Sequence, residues 1–171
     1  MQDGMIRGNN RALIRVTPTL PTSEISSSDI AFVSTEIPNA VLEKGGTSKL
    51  IAFHIIDYDY EGHDMQIFFT QNQQNIGSAG GDPDVSDADW RAAKPISAHR
   101  IDSSQGEVYV TGNSFKQFTS SGITRHDNNS NLPVVLQASA DSTSIYFTAI
   151  MLEATTYTNS NDLEFVFHIE Y

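Results

Sequence analysis

A chain of 171 residues has room for one sizeable core but not for two full-sized domains of ~100–200 residues each. Its 39% hydrophobic and 18% charged content lies below the globular averages of roughly 45–50% and ~25%, with uncharged polar residues making up the difference, which suits a solvated β protein better than a helical bundle. Twenty-one Asp and Glu against ten Lys and Arg give a formal charge of −11, which disfavours nucleic acid and anionic membranes as partners, and zero cysteines exclude a disulfide framework and a thiolate metal site.

Residues 1–10 contain Gly4, Gly8, Asn9 and Asn10 with few apolar side chains, so taken alone they read as a mobile segment. Residues 1–16 hold no apolar run of the ~7–15 residues that a secretion signal needs, and no stretch of the chain approaches the ~18 apolar residues of a membrane helix. The charge is uneven: residues 1–49 are balanced, and the whole net charge lies after them. Within the first fifteen residues Arg7, Arg11 and Arg15 face Asp3 alone, a locally basic arm whose three arginines are the candidate partner-binding residues. Pro18, Pro21 and Ser26–Ser28 then mark an extended linker. The expected organisation is an arm and linker over residues 1–28 and a β-sandwich domain over residues 29–171.

Short β-like runs follow at residues 13–16, 30–35, 65–70, 96–101, 107–111 and 132–138. Residues 50–58 and 144–152 are apolar on both alternating sets, which suits central strands covered on two sides. Alternation is cleanest at residues 162–171, where Leu163, Phe165, Phe167, Ile169 and Tyr171 share one face and Glu164, His168 and Glu170 the other. One helix is predicted over residues 87–94, with Ser86 as N-cap, Asp87 and Asp89 at the positive end of its dipole and Pro95 ending it. Its Trp90, the single tryptophan, is expected to seal one end of the sandwich. The fold class is all-β: a single jelly-roll-like sandwich of about eight or nine strands with one short helix and an extended N-terminal arm.

No catalytic, cofactor-binding or metal-binding set stands out. Asp57, Asp59 and Glu61 followed by Gly62 echo a calcium loop, but its twelfth position is Phe68 where a bidentate Glu is required. Asp82, Asp84, Asp87 and Asp89 could offer oxygens to a cation, yet the last two already serve the helix start. A glycosidase-type carboxylate pair is not singled out among so many acids. The histidines His54, His63, His99, His126 and His168 form no metal-ligand spacing, and His54, His99 and His168 sit singly in strands. Gly45–Gly46 before Lys49 lacks phosphate-loop spacing and reads as a hairpin turn. Tyr58, Tyr60, Tyr146 and Tyr157 could stack sugar rings, which keeps open a carbohydrate-binding module on a β-sandwich.

From Ile37 onward the chain runs through Ile37–Pro38–Asn39–Ala40–Val41, Gly45–Gly46 before a long strand, Ile67–Phe68–Phe69, and Asp84–Val85–Ser86–Asp87–Ala88–Asp89–Trp90. The order continues through Asn131–Leu132–Pro133–Val134–Val135–Leu136, the turn Ser139–Ala140–Asp141–Ser142–Thr143, and Ala154–Thr155–Thr156–Tyr157–Thr158 before the last strand. This order of segments resembles the head decoration (cement) proteins of tailed bacteriophages of the marine and cyanophage type. The chain departs from that group in its longer, Arg-containing N-terminus and in a polar insertion at residues 114–131, and a receptor- or glycan-binding module of a head or tail fibre is the alternative function. The resemblance implies a non-enzymatic virion structural protein without a cofactor, bound to the major capsid protein on the capsid exterior and stabilising it. It also implies a closed homo-oligomer, such as a trimer, and no nucleic-acid or membrane partner.

Overall fold

The computed structural model describes residues 10–59, 63–102, 116–120 and 132–171. Among these are nine strands and one helix: β1 (Arg11–Val16), β2 (Ile30–Ile37), β3 (Thr47–Asp57), β4 (Met65–Thr70), α1 (Asp87–Ala93), β5 (Pro95–Ile101), β6 (Lys116–Ser120), β7 (Val134–Gln137), β8 (Ile145–Met151) and β9 (Leu163–Glu170). Strands arise where side chains alternate. In β9, Leu163, Phe165, Phe167 and Ile169 are buried while Glu164, His168 and Glu170 stay half-exposed, the division that a period of two predicts.

The strands form two antiparallel sheets. One has the order β1-β9-β3-β6, with the short β7 also paired to β3, and the other has the order β2-β8-β4-β5. Most connections cross from one sheet to the other, so the molecule is a β-sandwich of jelly-roll type, with β6 and β7 sharing one position beside β3. The turn at Gly45–Gly46 is one of these crossings, from β2 to β3, and not the hairpin expected. Gly45 takes φ +70 there, and Ala140 Cα would stand 3.3 Å from any Cβ placed on it.

Six of the nine phenylalanines fill the space between the sheets. Phe147 on β8 is central: its ring lies 5.2 Å from Phe32, 5.0 Å from Phe165 and 5.0 Å from Phe167, all edge-on. Phe53 and Phe69 continue the cluster and hold His99 edge-on between them at 5.8 and 5.6 Å. Such edge-to-face contacts add to the burial of large apolar area.

The double apolar pattern of residues 50–58 has a different cause from the two covering layers expected. Lys49 and Leu50 pair with Glu170 and Ile169, but the next partner of β9 is Ala52, so Ile51 is an extra residue. This bulge reverses the phase: Ser48 and Leu50 are buried before it, Phe53, Ile55 and Asp57 after it. A two-layer molecule covers only the inner face, and Ile51, Ala52 and Ile56 on the outside stay half-exposed. In β8, Tyr146 and Ile150 do the same.

Ser86 caps α1 as the sequence predicts, its Oγ accepting the Asp89 N–H at 3.1 Å. The helix ends at Lys94, which takes a left-handed φ of 51 and turns the chain straight into β5. Trp90 does not seal an end of the sandwich. It lies edge-on to Phe68, 6.0 Å away, and Phe68 points outward from β4.

Residues 11–28 belong to the sandwich, not to the arm and linker expected up to residue 28. β1 pairs in continuous register with β9, from Arg11 opposite Glu170 to Val16 opposite Phe165. Leu20 and Ile25 are buried. Ile25 exchanges backbone hydrogen bonds with Thr155 at 2.8 and 3.0 Å, and Leu20 N donates to Ser160 O. Apolar spacing hid this, because two isolated residues carry no period. The chain enters and leaves at the same end, where Tyr171 N donates to Asn10 O at 2.9 Å.

The two sheets treat their edges differently. After β4 the chain runs down the free side of β2: Ser34 N donates to Asn75 Oδ1, Gln74 N to Ser34 Oγ, and Ile30 exchanges backbone bonds with Gly80 and Gly81. Gly77 takes φ +146 in this strap, and a Cβ there would stand 2.7 Å from both Asp82 O and Ile30 Cδ1. β6, within the stretch expected to be a polar insertion, was not anticipated, since its sequence Lys-Gln-Phe-Thr-Ser has no clear alternation. The expected strand at residues 107–111 lies outside the described residues.

Candidate partner-binding face

The outer face of the five-stranded sheet gathers residues that the sequence scatters. β9 contributes Glu164, Val166, His168 and Glu170, β1 contributes Arg11, Leu13 and Arg15, and β3 contributes Lys49, Ala52 and His54. Register sets the pairs. Arg11, Glu170 and Lys49 lie across three adjacent strands, and the carboxylate bonds Arg11 Nη2 at 3.0 Å and Lys49 Nζ at 3.7 Å. At the other end of β9, Glu164 receives Arg15 Nη1 at 2.8 Å and the Tyr58 hydroxyl at 2.7 Å. Partial burial pulls the Glu164 carboxyl up, but the hydrogen bonds from Arg15 and Tyr58, with the Arg15 charge, together hold it below its ordinary value.

Two of the three candidate arginines are therefore engaged within the chain. Arg11 pairs with Glu170 and Arg15 with Glu164, while both arginine side chains stay more than half exposed. Arg7 lies outside the described residues. Between the two charge clusters the face is uncharged, with Leu13 62% exposed beside His168, and on the flank of the Glu170 cluster Val135 on β7 is 58% exposed beside Lys49. In a chain of net charge −11, the part of this face built by β1, β3 and β9 sets three cations against two carboxylates.

His54 and His168 are not the isolated strand histidines expected. Their rings stack 4.7 Å apart with an interplanar angle of 23° across the β3–β9 pair. Sequence reasoning missed the pair because nothing local joins positions so far apart, and only the strand register brings them together. Burial lowers the His54 pKa, helped by the nearby His168 and Arg15 charges, and burial alone lowers that of His168. In the core, His99 is 1% exposed, its Nε2 meets Ser97 Oγ at 3.2 Å, its Nδ1 has no partner, and burial lowers its pKa.

All three shifts disfavour the protonated form in the native state, so the unfolded chain binds protons more readily. Stability is then fully present above the ordinary histidine value of about 6.5 and declines as pH falls through the lowered native values. The expected result is a urea midpoint that drops between about pH 7 and pH 5, with His99→Phe flattening the drop. A midpoint constant over that range contradicts the assignment.

Other sequence candidates take structural roles. Asp57 Oδ1 accepts the Asp59 N–H at 3.0 Å, and Asp59 Oδ2 accepts the Thr158 N–H at 2.7 Å, so both carboxylates hold the loop after β3. Tyr60, Glu61 and Gly62 lie outside the described residues, as does His126. Asp89 accepts the Ser86 hydroxyl at the helix cap. His63 approaches Glu153 at 3.8 Å, and Asp64 approaches Arg100 at 3.9 Å. Among the described residues no group of three or more His, Asp or Glu is arranged to hold a metal ion, and no helix is long and apolar enough to cross a membrane. Tyr157 is 1% exposed and cannot stack a sugar, whereas Tyr58 is exposed and Tyr146 half-exposed.

No protein-family model, curated protein or solved structure matches the chain.

Proposed function

We propose that the chain is a virion structural protein that binds the outer surface of a phage capsid and stabilises it. The observation that carries this reading is the outer face of the five-stranded sheet. It is broad, nearly balanced in charge, carries neutral histidines at its centre and exposes Leu13 and Val135. Desolvating such a face against a protein surface costs less than desolvating unpaired charges, and the exposed apolar groups gain from it. The segment order from Ile37 onward supplies the kind of partner, a major capsid protein.

The acidic remainder of the chain suits an outward orientation, since it would repel nucleic acid within a particle and keep decorated particles apart in solution. Residues 1–10, with Arg7, would add charge-steered contacts to the same surface. Adding the purified chain to capsids assembled from the shell protein of the same virus tests the reading, with occupancy counted by cryo-EM. Wild type is expected to decorate the exterior, and Val135→Glu to reduce occupancy about tenfold or more while leaving the fold intact. Bare capsids at saturating wild-type protein would refute the reading.

A further inference from the structure

Among the described residues nothing pairs with the outer edge of β1, and the sequence itself supplies a partner for it. We infer that two copies of the chain pair antiparallel through β1, joining their five-stranded sheets into one continuous sheet across a twofold axis. Among the described residues β9 is the one strand paired with β1, so the far side of β1 presents a row of backbone donors and acceptors. The neighbouring sheet shows what protection looks like in this molecule: its β2 edge is covered by the strap of residues 74–81. β1 carries none of the usual guards. It holds no proline and no bulge, and both its charged side chains are drawn inward over β9 to Glu170 and Glu164.

Register narrows the pairing further. Residues directly opposite each other in an antiparallel pair share a face, so outward residues of one β1 must meet outward residues of the other. Centring the twofold on Leu13 sets Leu13 against Leu13 and Arg11 against Arg15, with Ala12 against Ile14 on the inner face. Each arginine already has its own carboxylate, so the like charges that meet are neutralised. The most exposed apolar side chains of the strand, at 62%, bury each other. Two bodies of charge −11 repel elsewhere, and this edge is where they can approach without an uncompensated charge. The inference stands apart from the capsid reading, because it concerns the protein alone in solution.

Sedimentation of the full chain measures the assembly, and Leu13→Cys maps it. With no native cysteine, the introduced residues face each other across the axis with Cα atoms about 5.5 Å apart, within the span of a disulfide, so oxidation should convert the protein to a disulfide-linked dimer. Leu42→Cys, equally exposed but in the loop between β2 and β3, should not cross-link. Leu13→Lys should weaken dimerisation about tenfold or more. A monomer at every concentration overturns the inference, as does a dimer in which Leu13→Cys cross-links no better than Leu42→Cys. Dimerisation that appears only after residues 1–9 are removed also overturns it, and assigns the edge to the chain's own N-terminal segment.

Discussion

Phe147→Ala should destabilise the protein by about 3–5 kcal/mol, which approaches the whole folding free energy of a marginal domain. The size follows from position. Phe147 lies in the middle of β8, itself between β2 and β4, and its ring touches Phe32, Phe165 and Phe167 within 5.0–5.2 Å and stacks on Phe69 at 6.3 Å. Removing it leaves a cavity bounded by rings from both sheets, and these rings are fixed to strands that cannot close on the gap. Urea unfolding followed by far-UV dichroism measures the loss. Phe68→Ala, on the outer side of β4 against Trp90, should cost clearly less, because water can fill the vacated space. Equal losses at the two positions would mean that the sheets are not packed through this cluster.

Removal of residues 1–16 should be nearly as damaging, and removal of residues 1–10 should not. The longer deletion takes away β1, exposes the whole edge of β9 and strips Glu164 and Glu170 of their arginines. Ile14 and Val16, which pack against the core, go with it. The expected outcome is a fall in Tm of about 10 °C or more, or insoluble protein, given roughly 2–4 °C per kcal/mol at this size. The shorter deletion removes Arg7 and leaves every described strand in place. If both truncated chains melt with the full-length protein, β1 contributes nothing to the fold and its pairing with β9 is not a stable part of the sheet.

Those two expectations also show where the sequence was legible. β9 could be read at every position but Val166, which is on the outward set yet buried, since alternation survives wherever one face is buried and the other solvated. The same rule misread β3, because one inserted residue, Ile51, reverses the phase and makes the strand look covered on both sides. β6 escaped because its five residues, Lys-Gln-Phe-Thr-Ser, are mostly polar and show no period of two. The helix was found from its cap, a local signal, but the place of Trp90 over Phe68 depends on how α1 returns to β5 and could not be.

The candidate face was legible only in fragments. Arg11 and Arg15 were picked out by local charge, yet their partners Glu170 and Glu164 lie at the opposite end of the chain, and composition gives no register between distant strands. The stacking of His54 on His168 is hidden for the same reason. The apparent contrast between a basic arm and an acidic body thus becomes, in three dimensions, a patch of paired charges on one sheet. The first fifteen residues supply the cations that the last strand lacks.

The hydrogen bond from Tyr171 N to Asn10 O fixes the two ends of the described fold side by side. A jelly roll whose ends meet can be spliced into another polypeptide as a single cassette, or permuted by joining residues 10 and 171 and reopening the chain at a surface loop, without breaking any strand. A peptide or fluorophore attached at residue 171 would leave from the same pole as residue 10, away from the opposite pole where residues 58 and 158–162 lie. The topology thus gives this protein a built-in polarity, useful to anyone who wants to display a passenger on one side of it.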